Sequence, residues 1–96
     1  MDHPIVSSIT NGTSRSDVYR LIDGERNYQD SISDRMNHKG HPTIEAELLM
    51  MEHYLADART KWVTSHGDNF PPLDSLRKVA GIAVRCMENH VTPMRR

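Results

Sequence analysis

The sequence predicts an all-α fold: a small, oligomeric helical bundle built on a long antiparallel helical hairpin, with an N-terminal helix packed across it. Three observations predict it. Apolar residues recur at helical spacing in Thr43–Thr64 and again in Leu73–His90. A third and weaker segment of the same period follows candidate N-cap residues at Ser16 and Asp17. Between the segments lie clusters of polar residues, glycine and proline that end helices.

Residues 1–15 carry Ser, Thr, Asn and Gly without helical periodicity and read as a flexible arm, with a short extended piece at Ile5 and Val6. The remaining residues, 16–96, form one helical domain. Helix one is expected from Asp17 to about Ser31, with Val18, Leu21, Ile22 and Glu25 at helical spacing. Gly24 weakens it by about 1 kcal/mol relative to Ala, and marks either a kink or a point of close packing. A polar loop, residues 32–42, closes on His41-Pro42. Proline disfavours helix at His41, and Thr43 can then cap helix two, with Glu45 and Glu47 near the positive end of the dipole.

Helix two should span roughly 20 residues, or about 30 Å. Its stripe is Ile44, Leu48, Met51, Leu55, Ala58 and Trp62. Residues 65–69 break it, and Pro71 and Pro72 suit the first turn of helix three. There the stripe is Leu73, Leu76, Ala80, Ala83 and Met87, widened by Val79, Ile82, Val84 and Cys86. A helix apolar nearly all round is covered on more than one side, here by helix one and by a second copy of the chain. Ala80-Gly81 permits a close helix approach.

Composition points the same way. Hydrophobic residues make up 36% and aromatics 5% of the 96 residues, a thin supply for a core. Cys86 is the single cysteine, so no disulfide within the chain reinforces it, and self-association is the remaining support. A net charge of −1 excludes a global field for duplex nucleic acid. Local basic groups remain: Arg35, His38, Lys39 and His41, then Arg77, Lys78 and Arg85. Neither a signal peptide nor a membrane span is expected, and the expected localisation is cytoplasmic. His38, His41 and His53 lack the cysteine partners or spacing of a zinc site, so no metal and no cofactor is expected. Cys86 has no His-Asp arrangement that would make it a nucleophile.

Two blocks carry a family likeness. ERNYQD at Glu25–Asp30, and LLMMEHYLADA with SLRKVAGIAVRCME, together resemble the MazG-like proteins, the all-α nucleoside triphosphate pyrophosphatases of phage and bacteria. The His41-Pro42 loop end fits the same pattern, and the likeness covers about two thirds of the chain. The chain is also similar to small phage proteins with the same order of segments. The family holds magnesium with E-E-x-x-E on one helix and E-x-x-D on a facing one, because the ion needs oxygen ligands while it bridges phosphates. Aligned on those motifs, this chain has Met50, Met51 and Tyr54, then Ser75 and Lys78. The resemblance therefore implies a hydrolase frame without its acids.

That implication sets the functional expectation: capture, without cleavage, of a nucleotide-derived molecule. Its sharpest form is a phage anti-defence sponge that sequesters a cyclic nucleotide immune signal of the bacterial host. Arg77 and Lys78 would meet phosphate, Tyr28, Tyr54 and Trp62 offer faces to a base, and Arg26, Gln29 and Asp30 supply polar contacts. Plainer readings stand beside these. Met50 and Met51 also suit a core, Arg77 and Lys78 a solvated face, Glu25 and Arg26 a surface ion pair, and Trp62 a core or subunit interface. Two other functions are weighed. One is a divergent magnesium pyrophosphatase using Glu45, Glu47, Glu52 or Asp57. The other is a small phage protein that inhibits a host protein by contact.

Overall fold

Short polar side chains set the helix starts. Thr43, extended at φ −71° and ψ 163°, accepts a hydrogen bond on its Oγ1 from the Ala46 amide at 3.1 Å, as the sequence leads one to expect. The computed structural model describes residues 13–35 and 40–95, without the side chains of 33–35. Among these described residues there are three helices: α1 (Arg15–Arg35), α2 (Ile44–Thr64) and α3 (Phe70–Asn89). The extended piece at Ile5 and Val6, most of the arm, and the basic side chains of Arg35, His38 and Lys39 lie outside the described residues.

The starts and stops depart from expectation at α1. Ser14, not Ser16 or Asp17, caps it, its Oγ accepting from the Asp17 amide at 3.2 Å. Asp17 sits in the first turn instead. Hydrogen bonds from Arg20 and then from Ser14 hold its carboxyl below the ordinary carboxylate range. The helix also continues past Ser31 to Arg35, because Ile32 lies on the same inner face as Glu25 and Gln29. At the end of α2 the chain turns through left-handed backbone at His66 (φ 52°) and Gly67 (φ 94°). Asp68 Oδ1 then accepts from the Phe70 amide at 3.0 Å, and Pro71 and Pro72 occupy the first turn of α3.

α2 and α3 form the expected hairpin, and α1 packs on α3. Opposite chain directions are visible in the pairings, since Glu47 faces Arg85 at one end while Asp57 faces Ser75 at the other. The interior differs from the predicted one. Among the described residues the only buried apolar side chains are Ala58 and Ile82, and they share the interior with Glu25, Glu47 and Ser75. Along α3 the buried line passes through Ser75 and Ile82, whereas Leu73, Leu76 and Met87 remain about half exposed. At about 100° per residue the predicted stripe lies roughly a third of a turn from that line. On α2 the stripe is offset to the same side, leaving Leu48, Leu55 and Trp62 about half exposed. The two stripes therefore flank a single uncovered apolar face of the hairpin, on the side away from α1. Among the described residues no helix is long and apolar enough to cross a membrane.

Candidate functional site

Three helical stripes converge on a cavity of about 320 Å³. α1 contributes Glu25, Tyr28, Gln29 and Ile32, α2 contributes Met50 and Tyr54, and α3 contributes Lys78, Ile82 and Arg85. Each set follows helical spacing, i, i+3, i+4 and i+7 on α1, i and i+4 on α2, and i, i+4 and i+7 on α3. Four residues singled out in the sequence thus meet here: Tyr28, Gln29, Tyr54 and Lys78. Met50 lines the same space. Glu25, Ile32, Ile82 and Arg85 are additional, and the seven-residue step from Lys78 to Arg85 is the sequence signal that could have found the last of them.

The other singled-out residues go elsewhere. Arg26 and Asp30 border a separate depression of about 290 Å³ on the outer side of α1 and α3. Arg26 is held there by Asp30 at 2.9 Å and by Glu88 at 2.7 Å. Burial opposes its charge and those two carboxylates favour it; the carboxylates win, and its pKa rises. Trp62 lies in an open apolar groove of about 610 Å³ with Leu55, Ala58, Pro72, Leu73 and Leu76. Arg77 lines none of these spaces. It donates from Nε to Glu25 at 3.1 Å and pairs with Asp74 at 2.7 Å. Ser75 is fully buried; it donates to Asp57 at 2.8 Å and accepts from Lys61 at 3.2 Å. The Ser75 hydroxyl, and secondly Lys61, hold the Asp57 carboxyl below its ordinary range.

The charge around the cavity is balanced, not basic. Glu25, Glu47 and Asp74 face Arg77, Lys78 and Arg85, three negative groups against three positive. Glu47 is fully buried and grips Arg85 through two hydrogen bonds of 2.8 and 2.6 Å. That pairing raises the Arg85 pKa against the opposing effect of burial. Lys78 is less engaged. Its Nζ lies 5.5 Å from the centre of the Tyr54 ring and 3.9 Å from Asp74. The ammonium takes one face of Tyr54, and the His53 ring stands against the same tyrosine edge-on at 5.0 Å. The donors that an anion can recruit are Lys78 and the part of the Arg85 fork not used by Glu47.

Gln29 completes the floor. Its amide nitrogen donates to Glu25 Oε2 at 3.1 Å, while its amide oxygen is buried with no partner. Gly81 makes this packing possible, because a Cβ there would stand 2.6 Å from Glu25 Cγ and 2.8 Å from Gln29 Nε2. The acids are dispersed: among the described residues no three His, Cys, Asp or Glu side chains gather closely enough to hold a metal ion. Comparison with family models, curated proteins and solved structures finds no match.

Proposed function

We propose that the protein captures a nucleotide-derived molecule at the three-helix cavity and does not cleave it. The observation that carries this reading is the meeting of two tyrosines, a glutamine amide and two cations, Lys78 and Arg85, in about 320 Å³. Small-molecule sites span about 300–1,000 Å³, so this one suits a single nucleotide unit. Phosphate would lie toward Lys78 and Arg85, and the base toward Tyr28 and Tyr54. On this reading the chain is a degenerate relative of the MazG-like pyrophosphatases that kept the helical frame and exchanged the cation cage. Its biological form would be a phage sponge for a cyclic nucleotide immune signal, each cavity holding one unit of the ligand. The pyrophosphatase alternative has less support, since Glu47 is committed to Arg85, and Asp57 to Ser75 and Lys61.

The test is a thermal-shift series with ATP, cyclic di-AMP and ADP-ribose, each with and without Mg²⁺. A ligand at 100 times its Kd should add about 2.7 kcal/mol, several degrees in Tm for a domain this small. It should be recovered intact afterwards. Lys78→Gln should weaken binding about tenfold, the scale of one charge-assisted hydrogen bond. Absence of any shift, or Mg²⁺-dependent release of pyrophosphate, would overturn the reading.

Self-association belongs to the same proposal. With Ala58 and Ile82 as the buried apolar side chains among the described residues, a single copy has little core to hold it. The uncovered hairpin face, centred on Leu55, Trp62, Leu73 and Leu76, is where a second copy would pack. A stable interface buries at least about 1,200 Å² in total, and a face running the length of two helices can supply that. Analytical ultracentrifugation should give a mass of two or more chains. Leu55→Glu with Leu76→Glu should give single chains with a lower Tm. A native protein of single-chain mass at tens of micromolar would count against the interface, and would shift weight to a host protein as the occupant of that face.

A further inference from the structure

Gln29 holds the one buried side-chain polar atom without a hydrogen-bond partner among the described residues, its amide oxygen Oε1. Native proteins rarely leave such an atom unpaired, and each instance calls for a reason. Reversing the amide would not relieve it. Gln29 Nε2 donates to Glu25 Oε2 at 3.1 Å, and Glu25 Oε1 accepts from Arg77 at 3.1 Å, so a turned amide would set oxygen against a carboxylate. The chain Arg77–Glu25–Gln29 thus fixes the amide, with Gly81 letting it lie against α3. What remains is an oriented acceptor on a residue that lines the cavity together with Tyr28, Tyr54, Lys78 and Arg85.

We infer that Gln29 Oε1 accepts a hydrogen bond from an amino group on the ligand's base, and that the cavity selects amino-bearing nucleotides over those that lack the amine. This rests on reading the cavity as a nucleotide site. The ring amine is the fitting donor for two reasons. It lies in the plane of a base stacked on tyrosine, and its delocalised lone pair makes it a donor only. The opposite end of a nucleotide carries phosphate, which the cations would take. Removing the amine leaves the buried oxygen unpaired in the complex, and sites built on such a bond discriminate far more sharply than sites that read shape alone.

Isothermal titration of the full chain against two matched pairs tests this: AMP with purine riboside 5′-monophosphate, and GMP with IMP. Each pair differs by one amine. In at least one pair the amine-free member should bind at least about tenfold more weakly. In Gln29→Met that ratio should fall toward one, whatever happens to absolute affinity. Native binding of both members of each pair within about twofold overturns the inference, as does a ratio that survives Gln29→Met. If none of the four binds, the inference also falls, and cyclic di-AMP as a fifth titrant then separates the cases. Its binding leaves the nucleotide reading of the cavity intact, and its failure, together with no shift from ATP or ADP-ribose, removes that reading too.

Discussion

Arg85→Met is expected to cost about 3–5 kcal/mol, the range for removing one partner of a buried ion pair. Against a total stability of about 5–15 kcal/mol, and with few apolar side chains buried among the described residues, such a loss removes a large share of what holds the fold. The cause is Glu47. It is fully buried between α2 and α3, and its two oxygens are both satisfied by the Arg85 guanidinium, at 2.6 and 2.8 Å. Without Arg85 a carboxylate is stranded where water cannot reach it. The linkage is simple in sign. A pKa raised in the folded state stabilises at all pH values below the unfolded one, and for Arg85 both values lie far above any working pH. Urea denaturation by circular dichroism, at fixed protein concentration because association contributes, measures the effect. The double variant Glu47→Leu with Arg85→Met should regain much of the loss, since apolar replacement of a whole buried pair is often neutral or better. An Arg85→Met protein within 1 kcal/mol of native would mean that the pair does not hold the hairpin.

The pair also shows what the sequence could and could not reveal. The helices were legible because their signals are local. Thr43 caps, Pro71 and Pro72 start a helix, and Gly67 turns the chain. Glu47 looked like a first-turn acid suited to the helix dipole, and it is one. Its burial depends on Arg85, far along the chain, and no periodicity reports that distance. The apolar stripes misled in an instructive way. They mark faces to be covered, and within one copy neither is fully covered, so Leu55, Trp62, Leu73 and Leu76 line an open groove instead of a core. Of the singled-out site residues, Tyr28, Gln29, Tyr54 and Lys78 meet in one cavity, because helical spacing sets each on an inner face. Arg26 and Arg77 do not, because nearby carboxylates engage them first.

Two glycines separate close packing from simple helix propensity. Gly24 has nothing within 4 Å of the place where a Cβ would stand, so it is not the packing point that its position in α1 allowed. Gly24→Ala should therefore stabilise by about 1 kcal/mol through propensity alone. Gly81 carries the close approach. A Cβ there would lie 2.6 Å from Glu25 Cγ and 2.8 Å from Gln29 Nε2. The glutamine tip can swing aside, but Glu25 Cγ is the stem of a buried carboxylate that holds Arg77 and Gln29. Overpacking of this kind costs about 1–3 kcal/mol, and the strained contacts of Glu25 add roughly 1 kcal/mol for each hydrogen bond lost. The propensity gain of about 1 kcal/mol offsets only part of that, so Gly81→Ala should lose about 2 kcal/mol net. The same shift moves Gln29, and nucleotide binding should weaken with it. Melting curves of the two variants, taken at one protein concentration, should move in opposite directions. If Gly81→Ala instead melts as high as Gly24→Ala, α1 rides on α3 with room to spare, and Glu25 and Gln29 cannot serve both the helix contact and the cavity floor.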